Sequence, residues 1–456
     1  MPLVLGVDSS TQACKVEVRD ADTGALVAHG RAPHTSTTPP RSEQDPNDWW
    51  DALERARQGM AAVDAIGIAA QQHGMVALDA QYEVVRPAKL WNDTESAPDT
   101  QWLLQQLDPG EWARACGSVP VPSFTITKLS WLHRMEPESW ARMAHVCLPH
   151  DYLTWKLSGA LITDRGDASG TGYFDPHADA YRWDLLAIVD RDRDWSGCLP
   201  PVVEEPLQAV GSIDAALVAP GTGDNMGAAL GIGLQPGDVA ISLGTSGTVF
   251  AVHDTASHDA SGAVAGFADA TGRFLPLVCT LNATKVTDAI ARLLGVDHDE
   301  LDALALAAPA GSNGAVLVPY FDGERTPNRP DARGVLAGLH SDVSREQLAR
   351  AAFEGVVCGL LEGLDALIGA GIDARRIVLI GGGAPSRAYQ QLFADLSGRT
   401  VTVPRAGEYV AMGACRQAAA VLHGAWPEWD VDLECTVEPT DIDRDAIRAR
   451  YAAVRG

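Results

Sequence analysis

Two stretches of this chain end an apolar run in small, hydroxyl-bearing residues and then resume: GVDSSTQACKVEV from Gly6 and ISLGTSGTVFAV from Ile241. Each reads as strand, tight turn, strand. A tip of Gly, Ser and Thr lets several backbone N–H donors converge, which suits an anion such as a phosphate chain. Asp8 follows the run Leu3–Val7 and precedes Ser9, Ser10 and Thr11. A carboxylate there orients Mg²⁺ through water beside phosphates; a turn-capping Asp is the plainer alternative. In GTGDNMG, Asp224 reads as a glycine-flanked turn residue just ahead of a helix. It is placed to accept a hydroxyl proton as that oxygen attacks a phosphoryl group, or else merely to cap the helix. Gln71, Gln72 and His73 follow a buried strand, and amide and imidazole groups suit a polyol, although a lone His at a strand end is commonly structural. The glycines after Ile380 let the backbone approach a flat ligand such as adenosine, or simply form a tight strand-to-helix turn.

These groups need a scaffold that brings strand ends together. The first half reads as hairpin, third strand from Leu26 to Ala32, a helix beginning near Asp45 or Asn47, and the strand Ala65–Ala70. That order belongs to the mixed α/β class. Residues 101–205 carry Trp and Pro with little strand periodicity and read as a mostly helical insertion. The second hairpin starts after LQPGD, so the expected division is 1–236 and 237–456. A helix from Ser344 to Ala370, then RIVLIGGGAPSRAYQQLFADLSG and TVTVP, supplies helix, strand, turn, helix and strand. Two anion-holding hairpins in one chain point to a duplicated architecture.

A length of 456 residues with 46% hydrophobic content provides for two cores. A net charge of -25 argues against nucleic acid or anionic membrane as partners, since both demand a positive surface. The eight cysteines form neither a C-x-x-C pair nor a zinc-spaced cluster and read as reduced thiols. The N-terminal stretch lacks a basic n-region, and no apolar run reaches membrane-span length, so a cytoplasmic protein is expected. No Gly-Lys pair occurs, which excludes a Walker-type phosphate loop, and GGGAPS at 381–386 does not match G-x-G-x-x-G.

Together these stretches, with RPAKLWND, LPHDYLTWKLSG, TDRGDASGTGYFD, PYFDGERTPNRP and GLHSDVSREQLARAAFEG, resemble the FGGY family of carbohydrate kinases, and within it the kinases of D-xylulose. The resemblance implies an actin/hexokinase-like α/β fold of two ribonuclease H-like domains with an interdomain cleft. It implies transfer of the γ-phosphoryl of ATP to D-xylulose, with Mg²⁺. By resemblance Asp224 is the general base, Asp8 helps hold Mg²⁺, and Gln72, His73, Asp224 and Asn225 contact the sugar. Ser9, Ser10, Thr11, Gly244, Thr245 and Ser246 approach the phosphates, and Gly382, Gly383, Ala384 and Asn282 the adenosine. The implied partners are sugar and ATP, with a homodimer as the candidate assembly. Relatives carry Met where this chain has Gln72 and Trp where it has Arg41, departures that bear on sugar choice. Kinases of ribulose, gluconate or glycerol are the alternatives, and an ATPase switch of the actin or chaperone kind shares the implied fold.

Overall fold

The alternation that follows the N-terminal apolar run closes a hairpin. Strands Leu3–Ser9 and Ala13–Asp20 pair antiparallel, from Leu3 opposite Asp20 to Ser9 opposite Cys14. The structure, a computed structural model, describes residues 1–456. Strand Leu26–Pro33 joins antiparallel on one side, and Ala65–Ala70 joins parallel on the other, running level with Leu3–Ser9 so that Ser9 stands opposite Ala70. Every residue of Ala65–Ala70 is buried, as an apolar strand covered on both faces must be. The helix between them spans Pro46–Ala56, and Asp45, not Asn47, caps it by accepting the Asn47 N–H at 2.9 Å. Its apolar stripe, Trp49, Ala52, Leu53 and Ala56, joins Val16, Val18 and Ile68 in one core.

The chain forms two compact units, each discontinuous in sequence. The first holds Met1–Gly233, Asp254–Leu275 and Gly407–Asp430; the second holds Leu234–His253, Pro276–Ala406 and Val431–Gly456. In the first, helix Tyr409–His423 returns to lie on the N-terminal sheet with backbone against backbone. A Cβ on Gly6 would stand 2.0 Å from the Ala411 carbonyl oxygen, and one on Gly67 2.1 Å from that of Ala414. Only glycine admits this approach. Seven helices lie between Ala97 and Val189, in keeping with the helical reading of that region.

In the second unit, Asp238–Leu243 and Gly247–Ala251 form the other hairpin. Arg376–Ile380 pairs parallel with its first strand, and Phe274–Thr280 pairs antiparallel with its second. The central arrangement of the first unit is thus repeated. Val401–Pro404 and Leu433–Val437 extend the sheet. The long helix is Arg345–Gly369, opened by Ser344 and Gln347 in a reciprocal capping box. No helix in either unit is long and apolar enough to cross a membrane.

Candidate active site

In the first hairpin the register decides what Asp8 meets. Lys15 stands directly opposite it, and cross-strand neighbours share a face. The Lys15 Nζ lies 3.1 Å from Asp8 Oδ2 and 2.7 Å from Glu408 Oε2. Burial pushes the Asp8 carboxyl up to about 6, and the Lys15 ammonium opposes that push without cancelling it. Asp8 Oδ1 and the Ser9 hydroxyl are buried and have no hydrogen-bond partner in the protein. Buried polar atoms in that condition are uncommon unless something else meets them.

The remaining hydroxyls of this tip have partners within the protein. Ser10 Oγ donates to the Ala13 carbonyl at 2.9 Å and locks the turn. Thr11 Oγ1 donates to Gln71 Oε1 at 3.0 Å and accepts from Trp91 Nε1 at 2.9 Å, so it is turned toward the Gln71 side. Arg41 is an exposed surface residue with its Nε 3.0 Å from Glu43 Oε2.

Gln71, Gln72 and His73 leave the strand Ala65–Ala70 in different directions, as successive residues past a strand end do. Gln71 turns to Thr11 and to Gln44. Gln72 Oε1 accepts from Asn225 Nδ2 at 2.8 Å, while its Nε2 is buried without a partner. Gly223 leaves room for this side chain, since a Cβ there would stand 2.6 Å from Gln72 Cγ. His73 has φ of 66°, the left-handed region that costs a non-glycine residue roughly 1–3 kcal/mol. Its ring packs 5.1 Å from that of Phe124 and 5.6 Å from that of Phe267.

Strand Thr222–Gly223 pairs parallel beside Ala69 and Ala70, which delivers Asp224 to the same strand ends. The sequence reading needs correction here. Asp224 is neither a turn residue nor a cap; Gly223 is the N-cap, and Asp224 opens helix Asp224–Gly231. Its Oδ1 accepts from the Asn225 N–H at 2.8 Å and from Asn225 Nδ2 at 3.0 Å. Although a helix N-terminus favours a carboxylate, burial and the nearby Asp8 and Asp167 carboxylates win and push Asp224 up to about 7. A carboxylate poised there is half ionised near neutrality and basic enough to take a proton.

The second hairpin has a tip of Gly244, Thr245 and Ser246, with the Thr and Ser exposed. Backbone bonds shape it: the Gly244 carbonyl accepts the Thr284 N–H and hydroxyl, each at 3.0 Å. Beside it the strand Arg376–Ile380 turns at Gly381, whose φ of 90° suits glycine. Gly382 is open, with nothing within 4 Å of where a Cβ would lie, whereas Ala384 is buried. Asn282, expected near the adenosine, is engaged within the protein. It is buried, and its Nδ2 donates to the Gly323 carbonyl at 2.7 Å and to Glu324 Oε2 at 2.9 Å. Both amide hydrogens therefore support the Gly323–Glu324 turn.

Lys15, Glu408 and Trp91 were not singled out in the sequence. The cross-strand register would have revealed Lys15; nothing local announces Glu408, which arrives from 393 positions away.

A scan of family models matches residues 3–231 to the N-terminal domain and residues 239–422 to the C-terminal domain of the FGGY family of carbohydrate kinases. The chain is 46% identical to a xylulose kinase of Streptomyces rubiginosus, over 98% of its own length and 94% of the relative's. It is 35% identical to a xylulose kinase of Escherichia coli, over 91% and 89%. The solved xylulose kinase of Bifidobacterium adolescentis superposes with a TM-score of 0.91 at 42% identity, covering 100% of this chain and 99% of that one. A glycerol kinase of Plasmodium falciparum solved with ADP shares the fold at 18% identity and a TM-score of 0.90 over 100% and 98%.

Proposed function

The chain belongs to the FGGY family of carbohydrate kinases, and we propose that it moves the γ-phosphoryl of ATP to the terminal hydroxyl of D-xylulose, giving D-xylulose 5-phosphate. It is a sugar phosphotransferase. The observation that carries the proposed mechanism is Asp224, raised to about 7 and joined through Asn225 to Gln72, whose Nε2 has no partner in the protein. In this reading Asp224 accepts the proton of the attacking hydroxyl, and Asn225, Gln72 and His73 orient the sugar. Ser9 contributes its unpartnered hydroxyl to a phosphate, with Ser10 and Thr11 shaping the turn around it. Gly244, Thr245 and Ser246 offer a second set of small donors, and Gly382 an open backbone for adenosine, with Gly383, set against Thr284 and Leu243, and the buried Ala384 following it. Along the sequence the repeated pattern starts again near Gly237, although each compact unit draws on segments from both sides of that point.

The residues fit a magnesium ion. Asp8 offers a buried oxygen, Oδ1, with no protein partner, while Oδ2 is engaged by Lys15. A hard cation takes such oxygens and keeps its waters. Bound there with ATP, Mg²⁺ supplies positive charge against the phosphoryl oxygens. A cytoplasmic homodimer is the assembly we propose, to be checked by light scattering.

Coupled ADP release across D-xylulose, D-ribulose, gluconate and glycerol tests the reading. D-xylulose should give the highest kcat/KM, and ADP release without sugar should be slow. Preference for another sugar would replace the substrate; release indifferent to sugar would remove the mechanism.

A further inference from the structure

Behind Asp224, within the same unit, one imidazole and three carboxylates are buried together. His150 Nδ1 lies 2.8 Å from Asp167 Oδ2, and its Nε2 lies 3.1 Å from Asp151 Oδ1 and 3.5 Å from Asp164 Oδ1. His150, Asp151 and Asp167 are fully buried and Asp164 nearly so. Packing alone does not call for such a cluster, because charges out of water pay a desolvation penalty that apolar residues avoid. Its connections lead elsewhere. Asp164 Oδ2 accepts from the Thr222 hydroxyl at 2.9 Å, two residues before Asp224. The Gly221 N–H and carbonyl are both held by the Gln417 amide, at 3.0 and 3.1 Å. The backbone leading to Asp224 is thus fixed at consecutive residues. Asp167 also receives the His73 backbone N–H, so one short helix, Arg165–Ala168, joins the base segment to the sugar-facing loop.

We propose that His150, Asp151, Asp164 and Asp167 are positioning residues that hold the Thr222–Asp224 segment in place for proton abstraction, with Asp167 setting the electrostatic surroundings of the base. The proposal rests on Asp224 being that base. The charged groups in play are few. Asp224 faces Asp8 and Asp167; Asp167 faces His150, Asp164 and Asp151; Asp8 faces Lys15 and Glu408. Removing the charge of Asp167 leaves Asp224 easier to ionise.

The test uses Thr222→Val, which deletes the hydroxyl at nearly constant shape, Thr222→Ser, which restores it, and Asp167→Asn. Thr222→Val should lower kcat about fivefold to tenfold per folded molecule with the KM for ATP unchanged, and Thr222→Ser should recover most of the loss. Asp167→Asn should move the acidic limb of the kcat/KM profile about half a unit to lower pH. Thermal melting identifies the folded fraction, and if Asp167→Asn does not fold, the Thr222 pair decides. Wild-type kcat in Thr222→Val, or an unmoved limb in folded Asp167→Asn, overturns the proposal. Asp224→Asn separates the two claims: near-normal turnover in that variant removes the base assignment itself, whereas an inactive Asp224→Asn beside an unaffected Thr222→Val removes only the positioning role.

Discussion

The two hairpins share one topology and carry opposite chemistry. In each, a parallel strand flanks the first arm and an antiparallel strand flanks the second. The first tip is surrounded by ionisable groups: Asp8 is buried, paired with Lys15, which also pairs with Glu408, and in the same field as Asp224. The second is built from Gly244, Thr245 and Ser246 and is held by backbone bonds and the Thr284 hydroxyl. The turn is repeated while the side chains differ. Backbone donors bind an anion without a proton to give or take, whereas a buried carboxylate changes its basicity with its surroundings. The first tip therefore offers groups that can exchange a proton, and the second offers only neutral donors.

The most severe way to break this comparison is Asp224→Asn. Turnover should fall by about two to four orders of magnitude, the usual weight of general base catalysis, in protein that melts no lower than wild type. Steady-state kinetics with circular dichroism checks both. In wild type, kcat/KM should rise with pH through about 7 if the proposed base is right, because a base works in its ionised form and the Asp224 carboxyl is held near that value. A profile flat from pH 6 to 8 would contradict the assignment.

The complementary change in the second unit is Gly382→Val. Nothing lies within 4 Å of its Cβ position, so folding should tolerate the side chain. The KM for ATP should rise about tenfold with the KM for sugar unaltered, if the backbone there approaches adenosine. A rise in the sugar KM instead would reverse the division of labour between the units.

Gln72→Met sharpens the sugar side. It removes the acceptor of Asn225 Nδ2 and the unpartnered Nε2 while keeping similar length. A lost neutral hydrogen bond is worth about 0.5–1.5 kcal/mol, so relative kcat/KM among ketoses should shift by up to about tenfold. Unchanged ratios for xylulose and ribulose would mean that Gln72 serves only Asn225.

The smallest effect is on stability. Asp8, Asp151 and Asp224 have raised carboxyls, and His150 is raised to about 9 by its three carboxylate neighbours despite the opposing effect of burial. All four bind protons more tightly folded than unfolded. For the carboxylates, stability falls as pH rises from the unfolded value toward about 6–7; for His150 it is fully present below its unfolded value of 6.5 and lost as pH rises through about 9. The melting temperature should therefore drop between pH 6 and pH 9. The drop should be at least about 2–4 °C, what roughly 1 kcal/mol produces in a domain of 150–250 residues. A melting temperature that rises over that interval would contradict the charge assignments of the first unit.

Local pattern carried much of this protein. Strand alternation and small tip residues place both hairpins, and Asp45 and Ser344 mark the helices they cap, because those interactions lie within a few residues. The carboxylate at 224 and the amides at 71 and 72 were legible for the same reason: each follows directly on a recognisable strand or glycine turn. What the sequence by itself determined, then, were the elements and the residue types at their ends. Only the tertiary structure decided which end groups meet. Helix Tyr409–His423 packs on strands more than 330 residues earlier and brings Glu408 to Lys15. Asn282 looked available for a ligand until the Gly323–Glu324 turn took its amide. The basicity of Asp224 was likewise decided in three dimensions: it comes from burial and from Asp8 and Asp167, groups distant in sequence that share one water-poor region once the strands align.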